Sequence, residues 1–201
     1  MAAGKGVVIC QSNEQAKAEF TEMIQNQKFG AASARVVVEE FLTGIEMSVF
    51  VLTDGKNFAL LPEAKDYKKI GEGEQGLNTG GMGAVSPVPF YDAALQEKVI
   101  EEIVRPTVNG LAAENIPYIG ILFIGLIVEN GAAKVIEYNC RFGDPETEVI
   151  LTRLENDLVE LLDATATQKL DTINLKTSSN FAAGIVAVSG GYPGEYKKIY
   201  L

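Results

Sequence analysis

Histidine and tryptophan are absent from this chain, and only two cysteines occur, Cys10 and Cys140. Without histidine, a Ser–His–Asp nucleophile and zinc centres of the usual His type are excluded. Two cysteines without motif spacing build no disulfide framework and suit a reducing compartment. No apolar run approaches the roughly 20 residues of a membrane-spanning helix, and no signal peptide opens the sequence. Positive charge is scarce: 17 Lys and Arg stand against 27 Asp and Glu, a net charge of −10. An acidic chain without a basic run is poorly suited to nucleic acid or an anionic membrane. The expectation is a cytoplasmic protein with neither as a partner; its oligomeric state is not legible.

What is present is enough for a packed fold. The 201 residues are 47% hydrophobic, which allows one large domain or two small ones with real cores. Val7–Cys10 reads as a short strand. Ser12 and Gln15 form a capping-box signature before Ala16, Phe20, Met23 and Ile24, spaced for a helix to about Gln27. Arg35–Leu42 (RVVVEEFL) reads as a β-branched strand ending at Thr43-Gly44. Glu46–Thr53 and Phe58–Pro62 read as strands joined through Asp54-Gly55.

Residues 64–86 (AKDYKKIGEGEQGLNTGGMGAVS) have no apolar period and read as a long loop, functional or disordered. Asp92 caps a helix through Leu95, Val99 and Ile103 that Pro106 kinks or interrupts. Tyr118–Glu129 and Lys134–Cys140 form a hairpin around Asn130-Gly131. Residues 146–165 read as helix broken near Asn156. Phe181–Ser189 is a last strand before GGYPG. Helices mixed with antiparallel hairpins predict an α+β fold. The expected division is a small lobe over 1–42, a larger sheet lobe over 43–180, and the start of a further domain over 181–201.

The chemistry concentrates in GAAKVIEYNCRFGDPETE, residues 131–148. Residues two apart on a strand share a face, so Glu137 and Asn139 present two hard oxygen donors suited to Mg²⁺. Arg141 joins them if the strand runs that far, with a guanidinium fit for a phosphoryl oxygen. A solvated polar strand face explains the same row equally well. In RVVVEEFLTGIEMS, free backbone at Glu39–Leu42 offers what an adenine edge needs, and Glu46 suits ribose hydroxyls; a plain turn between strands with acidic edges is the alternative. AAGKG lacks the full P-loop spacing, and its Lys5 either faces phosphate or sits in a flexible turn. The NTGGMGA run from Asn78 either lets backbone approach a ligand or is a disordered linker. Asp66, Lys68 and Lys69 either orient a substrate or lie in water.

Taken together, AAGKGVV, VVVEEFLTGIEMS, PEAKDYKKIGEGEQGLNTGGMGA, PYIGILFIGL and VIEYNCRFGDPETE occur in this order. The series resembles the phosphoribosylamine–glycine ligase (glycinamide ribonucleotide synthetase) family of ATP-grasp enzymes, along nearly the whole chain. NTGGMGA and YNCRFGDPETE are its most specific parts. The resemblance implies an ATP-grasp fold and an ATP-dependent C–N ligation in purine synthesis, with glycine and 5-phosphoribosylamine as substrates. By matched motif it implies Glu137 and Asn139 as ligands of Mg²⁺ (or Mn²⁺), and Arg141 as the phosphoryl clamp. Glu39, Glu40, Phe41 and Leu42 would form the adenine hinge, Glu46 would hold ribose, and Lys5 would lie over the phosphates. Asp66, Lys68, Asn78, Thr79, Gly80 and Gly81 would line the substrate side.

The chain also departs from the pattern. Ile45 stands where the family often has a second Glu, and the domain that precedes AAGKG in the family is missing. The expectation is therefore a fragment truncated at both ends, inactive or weakly active alone. Two other readings share these residues: a non-catalytic nucleotide-binding fragment, or another ATP-grasp carboxylate–amine ligase.

Overall fold

Strand formation in this chain depends on whether a partner strand is available. The computed structural model describes residues 6–196, and the chain divides into two compact units between Leu42 and Thr43.

In the first unit, helix α1 (Asn13–Ile24) begins where Ser12 Oγ accepts from the Gln15 amide. The reciprocal bond of the expected capping box is displaced by one residue, because Gln15 Oε1 accepts from Gln11 N. A 3₁₀ turn spans Gly30–Ala34. The two strands expected here, Val7–Cys10 and Arg35–Leu42, do not form. Both lie outside any strand, with Val37 and Val38 71% and 81% exposed. Their β-branched residues favour extended backbone, but a strand also needs a neighbour to take its hydrogen bonds. No strand of this unit supplies one among the described residues.

In the second unit, β1 (Ile45–Thr53), β2 (Phe58–Leu60), β5 (Gly120–Glu129) and β6 (Ala132–Asn139) form an antiparallel sheet in the order β2-β1-β5-β6. The Asp54 carboxylate closes the β1–β2 turn by accepting from the Lys56 and Asn57 amides. Strand β1 is covered on both sides. Met47, Val49 and Val51 pack with Ile124, Leu126 and Val99 on one face, whereas Phe50 and Leu52 pack with Phe123, Val149 and Leu161 on the other. The Phe50 and Phe123 rings meet edge to face at 5.3 Å, a favoured arrangement for buried aromatics.

The first face is covered by α2 (Ala93–Val99), capped by Asp92, and by α3 (Arg105–Ala113). A single wider turn, Ile100–Val104, joins them and absorbs Pro106 at the start of α3, so the proline neither ends nor sharply breaks the run. The second face is covered by α4 (Glu146–Arg153) and α5 (Leu158–Ala166), which break around Asn156 as the sequence suggested.

The expected loop at 64–86 is instead a hairpin, β3 (Lys65–Gly71) with β4 (Gln75–Ser86). Its alternation is hidden because register shifts interrupt the pairing at Tyr67/Lys69 and Lys69/Gly71. Its glycines also serve close packing, since a Cβ at Gly81 (φ +132°) would collide with the Pro145 ring. The last strand, β7, covers only Ala182–Ile185 and pairs with β4 to complete a three-stranded sheet. Ala182–Ile185, within the segment expected to open a further domain, thus pair with the second unit's own sheet. Among the described residues, no helix is long and apolar enough to cross a membrane.

Candidate active site

The lower part of the second face of the large sheet is apolar, with Leu52 and Phe50, and its upper part is polar, with Ser48 and Glu46 on the same strand. In the sheet register Ser48 lies beside Gly125, which lies beside Glu137; Phe50 lies beside Phe123, which lies beside Asn139. Two rows therefore cross three strands and end in the two residues proposed from sequence as metal donors.

A β-bulge puts them there. Val135 pairs with Leu126, whereas Glu137 pairs with the preceding residue Gly125, leaving Ile136 as the extra residue. Strict alternation from Val135, which packs in the first core, would return Glu137 to that core. The inserted residue reverses the parity, so Glu137 and Asn139 join the polar face while Tyr138 turns back to meet Thr107 Oγ1 at 2.9 Å. Gly125 leaves space for the carboxylate stem: a Cβ there would come within 3.2 Å of Glu137 Cγ.

Two further elements close on this face. Ser48 and Ala64 exchange backbone hydrogen bonds at 2.7 and 3.0 Å, which brings the start of β3 alongside β1. Lys68 Nζ consequently lies 3.0 Å from Glu46 Oε2 and 3.6 Å from Asp66 Oδ2. At the start of α4, Glu146 is buried, and its Oε1 accepts from Ser48 Oγ at 3.0 Å. Four carboxylates, of Glu46, Asp66, Glu137 and Glu146, thus act electrostatically on one ammonium. Burial works against the Lys68 charge, but Asp66, Glu46 and Glu137 outweigh it and raise its pKa. Burial raises the Asp66 carboxyl, opposed by Lys68. Burial also raises Glu146, with the Asp66 charge adding to it.

The donor chemistry fits a small divalent cation. Glu137 and Asn139 offer a carboxylate and an amide on one face, and Asn139 Nδ2 is buried without a hydrogen-bond partner, leaving that end of the amide untethered. No group of three or more acidic, Cys or His side chains is arranged to hold a metal among the described residues. An ion here would draw its other ligands from water and a bound anion, the usual pattern for Mg²⁺ at phosphates.

Not every expected residue joins this cluster. Arg141 lies beyond the end of β6, exposed, and its Nη1 donates to Phe142 O at 2.7 Å. Asn78 is exposed on β4 opposite Lys69. Thr79 Oγ1 donates to Lys68 O at 2.8 Å and accepts from Gly81 N at 3.0 Å, so this run is tied to the lysine. Gly80 N donates to Tyr192 Oη at 3.1 Å. Glu39, Glu40, Phe41 and Leu42 belong to the first unit, where Phe41 is 65% exposed. Lys5 lies outside the described residues. Sequence reasoning missed Ser48 and Glu146. The signal for Ser48 was a hydroxyl two residues after Glu46, and so on the same strand face, between apolar Met47 and Val49.

Residues 1–147 match the model of the phosphoribosylglycinamide synthetase ATP-grasp (A) domain family. The chain belongs to this family. A phosphoribosylamine–glycine ligase of Pasteurella multocida is 48% identical over 199 residues, covering 98% of this chain and 46% of that protein. One of Vibrio cholerae is 46% identical with the same coverage. The chain therefore spans about half the length of the curated relatives it matches. Among solved structures, a phosphoribosylamine–glycine ligase of Thermotoga maritima superimposes with a TM-score of 0.77 at 34% identity, over 98% of this chain and 49% of that one. A biotin carboxylase domain of Hydrogenobacter thermophilus, solved with MgADP and bicarbonate, shares the fold at a TM-score of 0.64 and 16% identity, over 91% of this chain and 38% of its own. The expected α+β ATP-grasp fold is thereby established.

Proposed function

We propose that this chain is the ATP-binding part of a phosphoribosylamine–glycine ligase, a cytoplasmic enzyme of purine synthesis that joins glycine to 5-phosphoribosylamine at the cost of ATP. The relatives named above carry that activity in their names. The observation that carries the reading is the bulged β6, which turns Glu137 and Asn139 onto the same face as Glu46, Asp66 and Lys68.

On this reading Glu137 and Asn139 hold Mg²⁺ (or Mn²⁺) together with nucleotide phosphate oxygens. When bound, the ion would neutralise phosphate charge during phosphoryl transfer. Backbone groups of Glu39–Leu42 would meet adenine, Glu46 a ribose hydroxyl, and Lys5 the phosphates. Asp66, Lys68 and the run from Asn78 to Gly81 would orient the substrates, and Arg141 would steady the transferred group. Glycine's carboxylate takes the γ-phosphoryl group, and the amine of phosphoribosylamine then displaces phosphate from the acyl phosphate. This chemistry depends on positioning and electrostatics rather than on a protein nucleophile, in keeping with the absence of histidine.

Calorimetric titration with ATP tests the assignment. Binding should require Mg²⁺ and weaken by at least about 10- to 100-fold in Glu137→Ala, since loss of a ligand costs no less than loss of the outer groups that orient ligands. Equal affinity in the presence of a chelator would refute the metal role. Because the chain spans about half the length of its relatives, absent turnover by the chain alone fits either reading. Loss of turnover in Glu137→Ala of a full-length ligase would favour the catalytic one over a nucleotide-binding module.

A further inference from the structure

The chain's GGYPG segment, far in sequence from β4, folds back onto that strand. Tight turns at Ser189–Tyr192 and Gly191–Gly194 build the segment, closed by Tyr192 N to Ser189 O at 3.1 Å and Gly194 N to Gly191 O at 2.9 Å. Gly191 has φ +99°, and a Cβ there would press on the Glu195 carbonyl, so the turn requires glycine. The turn directs the Tyr192 ring toward β4, supported edge to face by Tyr196 at 5.7 Å. The phenol oxygen accepts from Gly80 N, 112 residues away in sequence.

Gly80 sits between the two residues that tie β4 to the lysine. Thr79 Oγ1 donates to Lys68 O, and Gly81 N donates back to Thr79 Oγ1. Gly81 in turn rests against Pro145, immediately before the buried Glu146. The Thr79–Gly81 backbone is thus held on one side by the Pro145 turn and on the other by the Tyr192 hydroxyl. Gly80 and Gly81 have no side chain with which to fix themselves, so the Gly80 amide is the group that links this run to the Tyr192 turn.

We propose that Tyr192 is a positioning residue for the substrate side of the site: its hydroxyl fixes the Thr79–Gly81 strand, and through Thr79 it fixes the Lys68 backbone, from which the ammonium reaches Glu46 and Asp66. The inference rests on the functional reading above, in which those residues orient the amino-acid substrate. It is specific to the phenol oxygen. The Tyr192 ring packs on Tyr196, and neither ring touches the Glu137–Asn139 row through any described hydrogen bond.

The test compares the unaltered 201-residue chain with Tyr192→Phe and, as a control, Tyr196→Phe, which keeps both rings. Amide hydrogen exchange at Gly80 is read by NMR, with titrations of glycine in the presence of Mg²⁺ and a non-hydrolysable ATP analogue, and of that analogue alone. Loss of one hydrogen bond predicts about 2- to 10-fold faster exchange at Gly80 in Tyr192→Phe and a glycine Kd raised by a similar factor. The affinity for the nucleotide analogue should stay unchanged, and Tyr196→Phe should match the unaltered chain in all three. Unchanged Gly80 exchange in Tyr192→Phe overturns the inference. So does faster exchange with an unchanged glycine Kd, and in that case the functional reading survives. If the unaltered chain itself binds no glycine, the assignment of Asp66, Lys68 and Asn78–Gly81 to the substrate side fails at that step and the inference falls with it, whereas the ATP-binding assignment is judged separately by the nucleotide titration.

Discussion

Val38 and Val49 have the same side chain, and both lie in β-branched runs that read as strands. Val49 is completely buried, while Val38 is 81% exposed. The difference is the presence of neighbours. Val49 belongs to β1, which has β5 along one edge and β2 and Ala64 along the other. Val38 belongs to a unit whose described residues hold one helix and one 3₁₀ turn, with Met23 and Ser33 as the buried residues. Propensity proposes a strand; pairing and a surface to cover decide whether it forms.

The largest expected contrast lies between the cores of the two units. Phe50→Ala removes a fully buried ring and should cost about 3–5 kcal/mol in urea unfolding. Val38→Ala, at an exposed position, should change stability by less than about 0.5 kcal/mol. Comparable losses from both would mean that Val38 is buried in solution and would remove the contrast.

A second test uses pH. Burial holds the Glu146 and Asp66 carboxyls above their ordinary values of 4.5 and 3.8. Because the folded-state pKa is the higher one, the folded protein binds these protons more tightly than the unfolded chain. That contribution is complete below the ordinary values and is lost as pH rises through the folded ones. Glu146→Gln, which carries no titrating charge, should therefore gain stability relative to the unaltered chain as pH rises from about 4 to 7. A pH-independent difference between the two would show that Glu146 titrates as it does in water.

The smallest effects come from helix caps, one in each unit. Ser12→Ala and Asp92→Ala should each cost about 0.5–2 kcal/mol of helix stability. Loss of Asp92 should lower the unfolding midpoint of the second unit, because α2 covers its core. Loss of Ser12 should appear mainly as reduced helical circular dichroism, since α1 buries little besides Met23.

These contrasts also mark how far the sequence could be read. The Asp54-Gly55 and Asn130-Gly131 hairpins, the Ser12 and Asp92 caps and the break near Asn156 were legible because each is set by local turn or cap chemistry. The β3–β4 hairpin was not, because Gly81 and Gly83 serve contacts with Pro145 and Gly184 that no local pattern records. In the site, Glu137 and Asn139 were legible as a pair sharing a face. Which face they share depends on the bulge at Ile136, and a bulge leaves no signature in a period-two pattern. Glu146 was invisible as a site residue because its role comes from Ser48, 98 residues away.

The account stands or falls on where a divalent cation and its nucleotide meet this sheet. Manganese can replace magnesium as a paramagnetic probe, and NMR line broadening in the Mn–ATP complex locates it directly. The broadening should be centred on Gly125, Glu137 and Asn139, and should fall off along β6 toward Ala132 at the strand's other end. Broadening centred elsewhere, or no stronger at Asn139 than at Ala132, would contradict it.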